Sequence, residues 1–547
     1  MSLRESPFPN AFVKGLHAVG WGLIFPCFWF LDRLIAGCMS TSLERRLRRE
    51  AECYLHPLKV VFGSVFYLVL FVISTPFALL GFVLWAPLQA ARRPFSYRQH
   101  VPTIAMENRN ARWEETGKLS FGFVTANLCL LPDGIARFNN LGQTQRRAAV
   151  IGHIIVQGVT RPHIRIFVDS PSSCSTLTPS NSLLPQAAAN SYGAVESVAV
   201  GQTEGVEPDG DVPSVTSSDD PGGLKQHPQP SIPNAGCNQN SNQHVHPPRA
   251  LRTLLKDSDV SSLFPSSVDV VCLQEVFDKR AAQKLMRALG PLYGHVIYDV
   301  GVYACHPVGT CSSFKFFNSG LFLASRYPVT EAQFRCFPNG CGEDALAAKG
   351  LLCVKVDIGL QKGDGEIRFE QLNMSTKWIR EFQAVTKQDN EMVMFDVLCG
   401  DFNFDNCSPD DRLEQSHGVF EEYRDPCRAG AGQEKPWVIG TLLEQPTLYH
   451  EDVATLENLQ RTLENQEHRR HFISPPVPLR GVPLDYPETG QPWVGRRIDY
   501  LLYRETSVSS HCTTEVEEFT YVTQLAGLTD HIPVSFRLNV TLDSEEM

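Results

Sequence analysis

The chain has no surplus of positive charge. Its 547 residues carry a formal net charge of −11, which argues against a protein that gains affinity by neutralising nucleic-acid phosphates. It has no ordered cysteine framework either. Sixteen cysteines are scattered along it, and Cys305, Cys311, Cys336 and Cys341 lack C-x2-C spacing. Neither a disulfide scaffold nor a structural zinc site is expected, and reduced thiols facing the cytosol fit the pattern. Residues 16–31 and 60–91 contain no Lys, Arg, Asp or Glu. Residues 169–249 contain no Phe or Trp and one Tyr, Tyr192.

The uncharged stretches read as membrane-associated segments. The first, as a helix, would measure roughly 24 Å, short of a hydrocarbon core of about 30 Å. The second is longer but carries Pro76. A cleaved secretory signal is not expected, because Asp32 follows the first run directly and a second apolar run comes after it. Basic residues flank the runs on every side: Lys14, Arg33, Arg45, Arg46, Arg48, Arg49, Arg92 and Arg93. If basic flanks stay cytosolic, all of them favour one face. Two segments dipping into one leaflet, or a hairpin kinked at Pro76, satisfy that better than ordinary spans. Arg33, Arg45, Arg48, Arg92 and Arg93 become candidates for anionic phospholipid head groups. Cys27, Cys38 and Cys53 become candidates for S-acylation.

Residues 169–249 are rich in Ser, Pro, Asn, Gln and Gly and cannot bury enough apolar surface to offset ordering, so they are expected to be disordered. Strand-like runs stand on both sides of them. "FGFVTANLCLL" and "HIRIFVD" precede; "VDVVCLQEV", "SGLFLASRYPV", "GLLCVKVDIGL", "MFDVLCGDFNF", "RRIDYLLY" and "IPVSFRLNV" follow. Helical stretches lie between, at 279–289 and 373–383. This predicts a layered α/β body of two packed sheets with helices outside. The expected order is a membrane-inserting region at 1–100, the start of a catalytic body at 101–168, the insert at 169–249, the rest of the body at 250–541 and a tail at 542–547.

Several strand-like runs end on a group that can do chemistry. "VTAN" ends on Asn127 and "VDVVCLQE" on Glu275; "GDFN" delivers Asp401 and Asn403 two apart, on one side of an extended segment. "RRIDY" offers Asp499, and "LTDH" offers Asp530 and His531. Each alone is weak, since an Asp at a strand end is often a turn residue. Their order is what carries information.

TAN, LQE, GDFN, RRIDY and TDH in that order resemble the DNase I-like metal-dependent phosphoesterases over about residues 121–538, the insert excepted. "TANLCLLPDGIARFNN", "CLQEVFDKRAA", "CGDFNFDNCSPDDRLEQ", "IGTLL" and "QLAGLTDHIPV" look closer still to the membrane-attached neutral sphingomyelinases. The resemblance implies a four-layer α/β sandwich, in-line attack of water on a phosphodiester, and release of ceramide and phosphocholine from sphingomyelin. It implies Mg²⁺, with Mn²⁺ as a substitute, held mainly by Glu275. His531 would be the general base, for which a near-neutral pKa is suited, and Asp499 would orient it. Asn127 and Asn403 would donate to phosphate oxygens, Asp401 would position water or phosphate, and Asp530 would support the metal. Asp344 and Lys349 in "GEDALAAKG" match a family segment. Lys349 either offsets phosphate charge, acts with Asp344 as a switch, or forms a surface pair with it. The aromatics of "SSFKFFNSG" either meet choline or pack in the core. The resemblance also implies a cytosol-facing catalytic body on Golgi, plasma, mitochondrial or endoplasmic-reticulum membrane, and no nucleic-acid partner. An endonuclease, a phosphoinositide phosphatase and a non-catalytic membrane-bound variant are the competing readings.

One family feature is missing. The resemblance implies another strand, ending in a Thr-His-Leu-His-Ala-type motif, between "VKVDIGL" and "EQLNMSTKWIREF". Here the chain reads "IGLQKGDGEIRFEQLN", and residues 309–416 contain no His. A segment of roughly a dozen residues is absent after Asp364, which predicts impaired catalysis, since losing a transition-state donor costs about 10²–10³ in rate.

Overall fold

A computed structural model describes residues 3–51, 55–101, 118–161, 259–301, 314–338, 346–356, 369–388, 393–448, 453, 455–478, 494–505 and 512–542. The chain divides into two compact units. One comprises Met1–His163 with Leu255–Met547; the other, Ile164–Leu254, lies outside the described residues, and the expected insert falls within it.

Three helices open the chain. Asn10 caps α1 (Ala11–Cys38) by accepting the Val13 N–H at 2.9 Å. Thr41 and Glu44 form a capping box on α2 (Ser42–Glu50), whose sequence "SLERRLRRE" concentrates the arginines. α3 (His56–Leu88) follows. At 28 and 33 residues, α1 and α3 measure roughly 42 and 50 Å. This corrects the short first segment: the helix continues past the apolar run through Lys14 on one side and Asp32–Arg33 on the other. Pro76 does not end α3 either. Just before it, the Ser74 and Thr75 hydroxyls donate to the Phe71 carbonyl oxygen at 3.0 and 2.8 Å, one turn back in the same helix.

α1 and α3 pack antiparallel. Cys27 meets Thr75, Trp29 meets Tyr67 and Cys38 meets Ser64. Small residues allow the approach: a Cβ on Gly81 would stand 2.7 Å from the Gly20 carbonyl oxygen. The hairpin lies lengthwise on the catalytic body. At one end Arg92 is bound to Asp299 at 2.8 Å. Midway the Arg280 guanidinium sits 5.0 Å from the Phe25 ring centroid. At the other end the Gly134 N–H donates to Asp32 at 2.7 Å, Arg33 reaches Asp133 at 3.0 Å, and the Ser42 N–H donates to Asn140 at 2.7 Å.

The body is the expected sandwich. Its large sheet runs in the order β1 (Ser96–Gln99), β5 (His295–Tyr298), β6 (Phe322–Ser325), β4 (Val270–Gln274), β2 (Lys118–Asn127), β14 (Val534–Leu542), β13 (Cys512–Val522), β3 (Asp259–Ser261). Alternation along β2 sends Phe121 and Phe123 to one face and Val124 and Ala126 to the other. The second face packs on helices Thr144–Val159 and Lys279–Tyr293 through Ile151, Ile155, Leu285 and Leu289. The first face meets Phe395 of β9 (Phe395–Asp401) and Leu501 of β12 (Asp499–Glu505). The far side of β9 and β12 offers Leu398, Tyr500 and Leu502 to helix Phe369–Thr386. Three apolar interfaces thus separate four layers.

Among the described residues the second sheet comprises two separate ladders. β7 (Val329–Cys336) pairs with β8 (Gly350–Val356), and β9 pairs with β12. Among the described residues no strand joins β8 to β9. The stretch where a further strand was expected, 357–368, lies outside the described residues.

Candidate active site

Strand ends from both sheets converge on one site. β2 ends on Asn127, the turn after β4 carries Glu275, β9 ends on Asp401, and β12 begins on Asp499 directly opposite Asp401 in the ladder. The turn before β14 supplies Asp530 and His531. Two of these residues need left-handed backbone, Glu275 at φ 55° and Asn403 at φ 55°, an uncommon conformation that concentrates at functional positions. Gly320 explains how Glu275 is held: a Cβ there would lie 2.9 Å from the Glu275 Cα.

His531 and Asp499 are brought together by the fold. His531 Nδ1 lies 2.7 Å from Asp499 Oδ2, both groups buried. The Asp499 carboxylate fixes the tautomer with Nδ1 protonated, leaving Nε2 as the acceptor. The segment around Thr441 aligns the pair. Its hydroxyl accepts the backbone N–H groups of Ile498 and Asp499 at 3.0 and 3.1 Å, and its carbonyl accepts the Ile532 N–H at 2.7 Å. Burial alone would lower the His531 pKa; Asp499, Asp401 and Asp530 reverse that and raise it to about 10. This departs from the near-neutral base expected, because several carboxylates surround the ring; with no cation among them the ring holds a proton on both nitrogens near neutral pH, and a divalent cation bound among those carboxylates would oppose the rise and free Nε2 to accept.

Asn127 and Asn403 both turn one amide N–H onto Asp401 Oδ2, at 3.0 and 3.3 Å. Each amide nitrogen keeps a second N–H for another acceptor. Asp530 is held by Asn139 and Gln445, which donate to its Oδ2 at 3.3 and 3.2 Å. Burial pushes the Glu275 carboxyl up to about 7; Lys349 and His531 oppose the rise while Asp530 and Asp401 add to it. Lys349 therefore belongs to the site's electrostatics, whereas Asp344 lies outside the described residues.

These donors suit a hard cation. They are all oxygen ligands, and their carboxylates repel one another without one. Among the described residues no three His, Cys, Asp or Glu side chains form a ready-made cage. That is compatible with Mg²⁺, which takes one or two carboxylates and keeps several waters.

Arg147 had escaped attention in the sequence. It is buried, and its guanidinium donates to four carbonyl oxygens: Gly142 at 3.1 Å, Leu128 at 3.1 Å, Leu528 at 2.8 Å and Cys129 at 2.7 Å. It ties the turn after Asn127 to the turn before Asp530. Thr529 adds a second tie, its hydroxyl donating to the Asn127 carbonyl at 2.7 Å. No local motif distinguishes Arg147 from its helix neighbour Arg146. Asn139 was visible only as part of "ARFNN".

Several expectations for the hairpin need correction. Arg92 is buried and bound to Asp299 and the Gly301 carbonyl, so it is not open to a head group. Arg33 is engaged by Asp32 and Asp133. Arg48 faces His56 and the Glu44 carbonyl, Arg93 is half-buried, and Arg45 is exposed. Cys27 is buried between the helices and not accessible to acylation; Cys38 is exposed, and Cys53 lies outside the described residues.

The family model described as "Neutral sphingomyelinase N-terminal transmembrane region" matches residues 12–91, and "Endonuclease/Exonuclease/phosphatase family" matches 234–531. Sphingomyelin phosphodiesterase 5 of Danio rerio is 70% identical, covering 100% of both chains. The chain belongs to the neutral sphingomyelinases. Sphingomyelin phosphodiesterase 3 of Homo sapiens is 38% identical, again over 100% of each chain. Sphingomyelin phosphodiesterase 5 of Mus musculus is 36% identical over 98% of this chain and 95% of its own. The Danio rerio alignment runs 568 positions against 547 residues here. That neutral sphingomyelinase therefore has residues with no counterpart in this one.

Proposed function

We propose that this chain hydrolyses sphingomyelin to ceramide and phosphocholine at a cytosol-facing membrane surface, and does so slowly. The observation that carries the reading is the buried His531–Asp499 pair at 2.7 Å, set opposite Glu275 on a body to which an apolar hairpin is fastened. His531 Nε2 takes a proton from water, the water oxygen bonds phosphorus, and the ceramide oxygen leaves and is reprotonated. Asn127 and Asn403 offer their remaining N–H groups to the phosphoryl oxygens as charge develops. Glu275 and Asp530 would hold a divalent cation, Mg²⁺ or alternatively Mn²⁺, which when bound neutralises phosphate charge.

Slowness is inferred from the histidine-free stretch 309–416, where the family motif would stand, together with the lack, among the described residues, of a strand joining β8 to β9. A non-catalytic membrane variant is the second reading, resting on the same observations. Assay of the purified full chain for Mg²⁺-dependent phosphocholine release from sphingomyelin vesicles separates them. Weak release abolished by His531→Ala supports the enzyme. Release equal in both chains supports the non-catalytic reading, and full-speed turnover sinks the impairment.

The hairpin is proposed to lie in one leaflet. Arg92 at one end and Ser42 at the other both touch the catalytic body. A hairpin crossing the membrane would put those ends on opposite sides. Arg45 remains the candidate for anionic head groups and Cys38 for acylation.

A further inference from the structure

Two large apolar side chains stand uncovered near Glu275. Phe316 is 63% exposed and Leu346 43%. They belong to one edge: the N–H groups of Phe316 and Phe317 both donate to the Leu346 carbonyl, at 2.8 and 3.1 Å, and Phe317 bridges Ala347. The inner end of this edge is part of the site. The Phe317 ring lies 5.9 Å from Phe277, two residues beyond Glu275, and Lys349 ends the second segment. The outer end reaches the hairpin. The Phe314 ring lies 4.8 Å from Phe316 and 5.7 Å from Phe82 of α3. Phe82 continues into Leu79, Leu80 and Val83, all exposed on α3. An unbroken apolar track therefore runs from the outer face of the membrane hairpin to the metal-ligand side of the site.

We propose that Phe314, Phe316 and Leu346 form a lip that enters the bilayer beside α3. Continuity with α3 decides the occupant. If α3 rests its apolar face in a leaflet, a lip in ring contact with Phe82 meets the same acyl chains, where its exposure to water is relieved. The lip would thereby set the Glu275 mouth at head-group level. This rests on the one-leaflet reading of the hairpin, and not on hydrolysis.

The test places a photoreactive group in the full-length chain on vesicles of phosphatidylcholine and sphingomyelin bearing a radiolabelled acyl chain. Phe316→benzoylphenylalanine is compared with the same substitution at Val385, exposed on helix Phe369–Thr386, and at Leu80. Several-fold more lipid adduct at 316 than at 385 is expected. Equal labelling at the two, or an adduct between two protein chains at 316, overturns the lip. Labelling at Leu80 separately reports whether the hairpin reading fell with it, and phosphocholine release is measured independently.

Discussion

Residue chemistry here depends on who surrounds each charge. Asp499 holds the His531 ring, so Asp499→Asn removes the negative charge and replaces one carboxylate oxygen with an amide donor that favours the wrong tautomer. Hydrolysis should fall by about 10³–10⁴ with the fold intact by circular dichroism; a change of less than tenfold (about 1.4 kcal/mol) would remove Asp499 from the mechanism. Glu275 supplies a pH signature. Its pKa rises from 4.5 to about 7 through burial. Across that window the folded protein keeps a proton the unfolded chain has lost, so stability falls as pH rises. A bound cation needs the ionised carboxylate. The rise in Tm caused by Mg²⁺ should therefore grow from about pH 6 to about pH 8, and a pH-independent shift in differential scanning fluorimetry would contradict Glu275 as ligand. Arg147 makes four bonds to buried carbonyls. Arg147→Met should cost about 3 kcal/mol in chemical denaturation, because those acceptors are stranded. Arg147→Lys, with fewer donors, should recover only part of it.

Elements explain how the site is assembled. Strand ends deliver its groups because β9 and β12 pair with Asp401 opposite Asp499, and β2 and β4 run parallel so that Asn127 and Glu275 emerge together. Among the described residues β8 and β9 share no ladder, and a strand between them would pair the facing edges. Inserting a strand that ends in a Thr-His-Leu-His-Ala-type motif after Asp364 should raise both Tm and turnover, the latter by about 10² or more. An insertion that raises stability and leaves turnover unchanged would show that the slow step lies elsewhere.

At the scale of the molecule, the membrane hairpin and the catalytic body are fastened together along the length of α1. Epitope tags placed at the N-terminus and between Glu50 and Ala51 should both be reached by antibody when only the plasma membrane is permeabilised. A tag at 50–51 reached only after full permeabilisation would establish a span. The sequence by itself determined the layered α/β class, the two apolar segments, and the order Asn127, Glu275, Asp401, Asn403, Asp499, Asp530, His531, because strand alternation, charge-free runs and short motifs are local signals. Tertiary structure decided what depends on distant partners. Arg92 and Cys27 left the lists of accessible groups because other elements cover them. Pro76 stayed within a helix that packs against α1 on either side of it, through Thr75 on Cys27 and Gly81 on Gly20. His531 moved to about 10 because three carboxylates from separate segments close around it. Arg147 became a tie between two turns because its four acceptors come from Leu128, Cys129, Gly142 and Leu528, and only folding brings the last of these to the others.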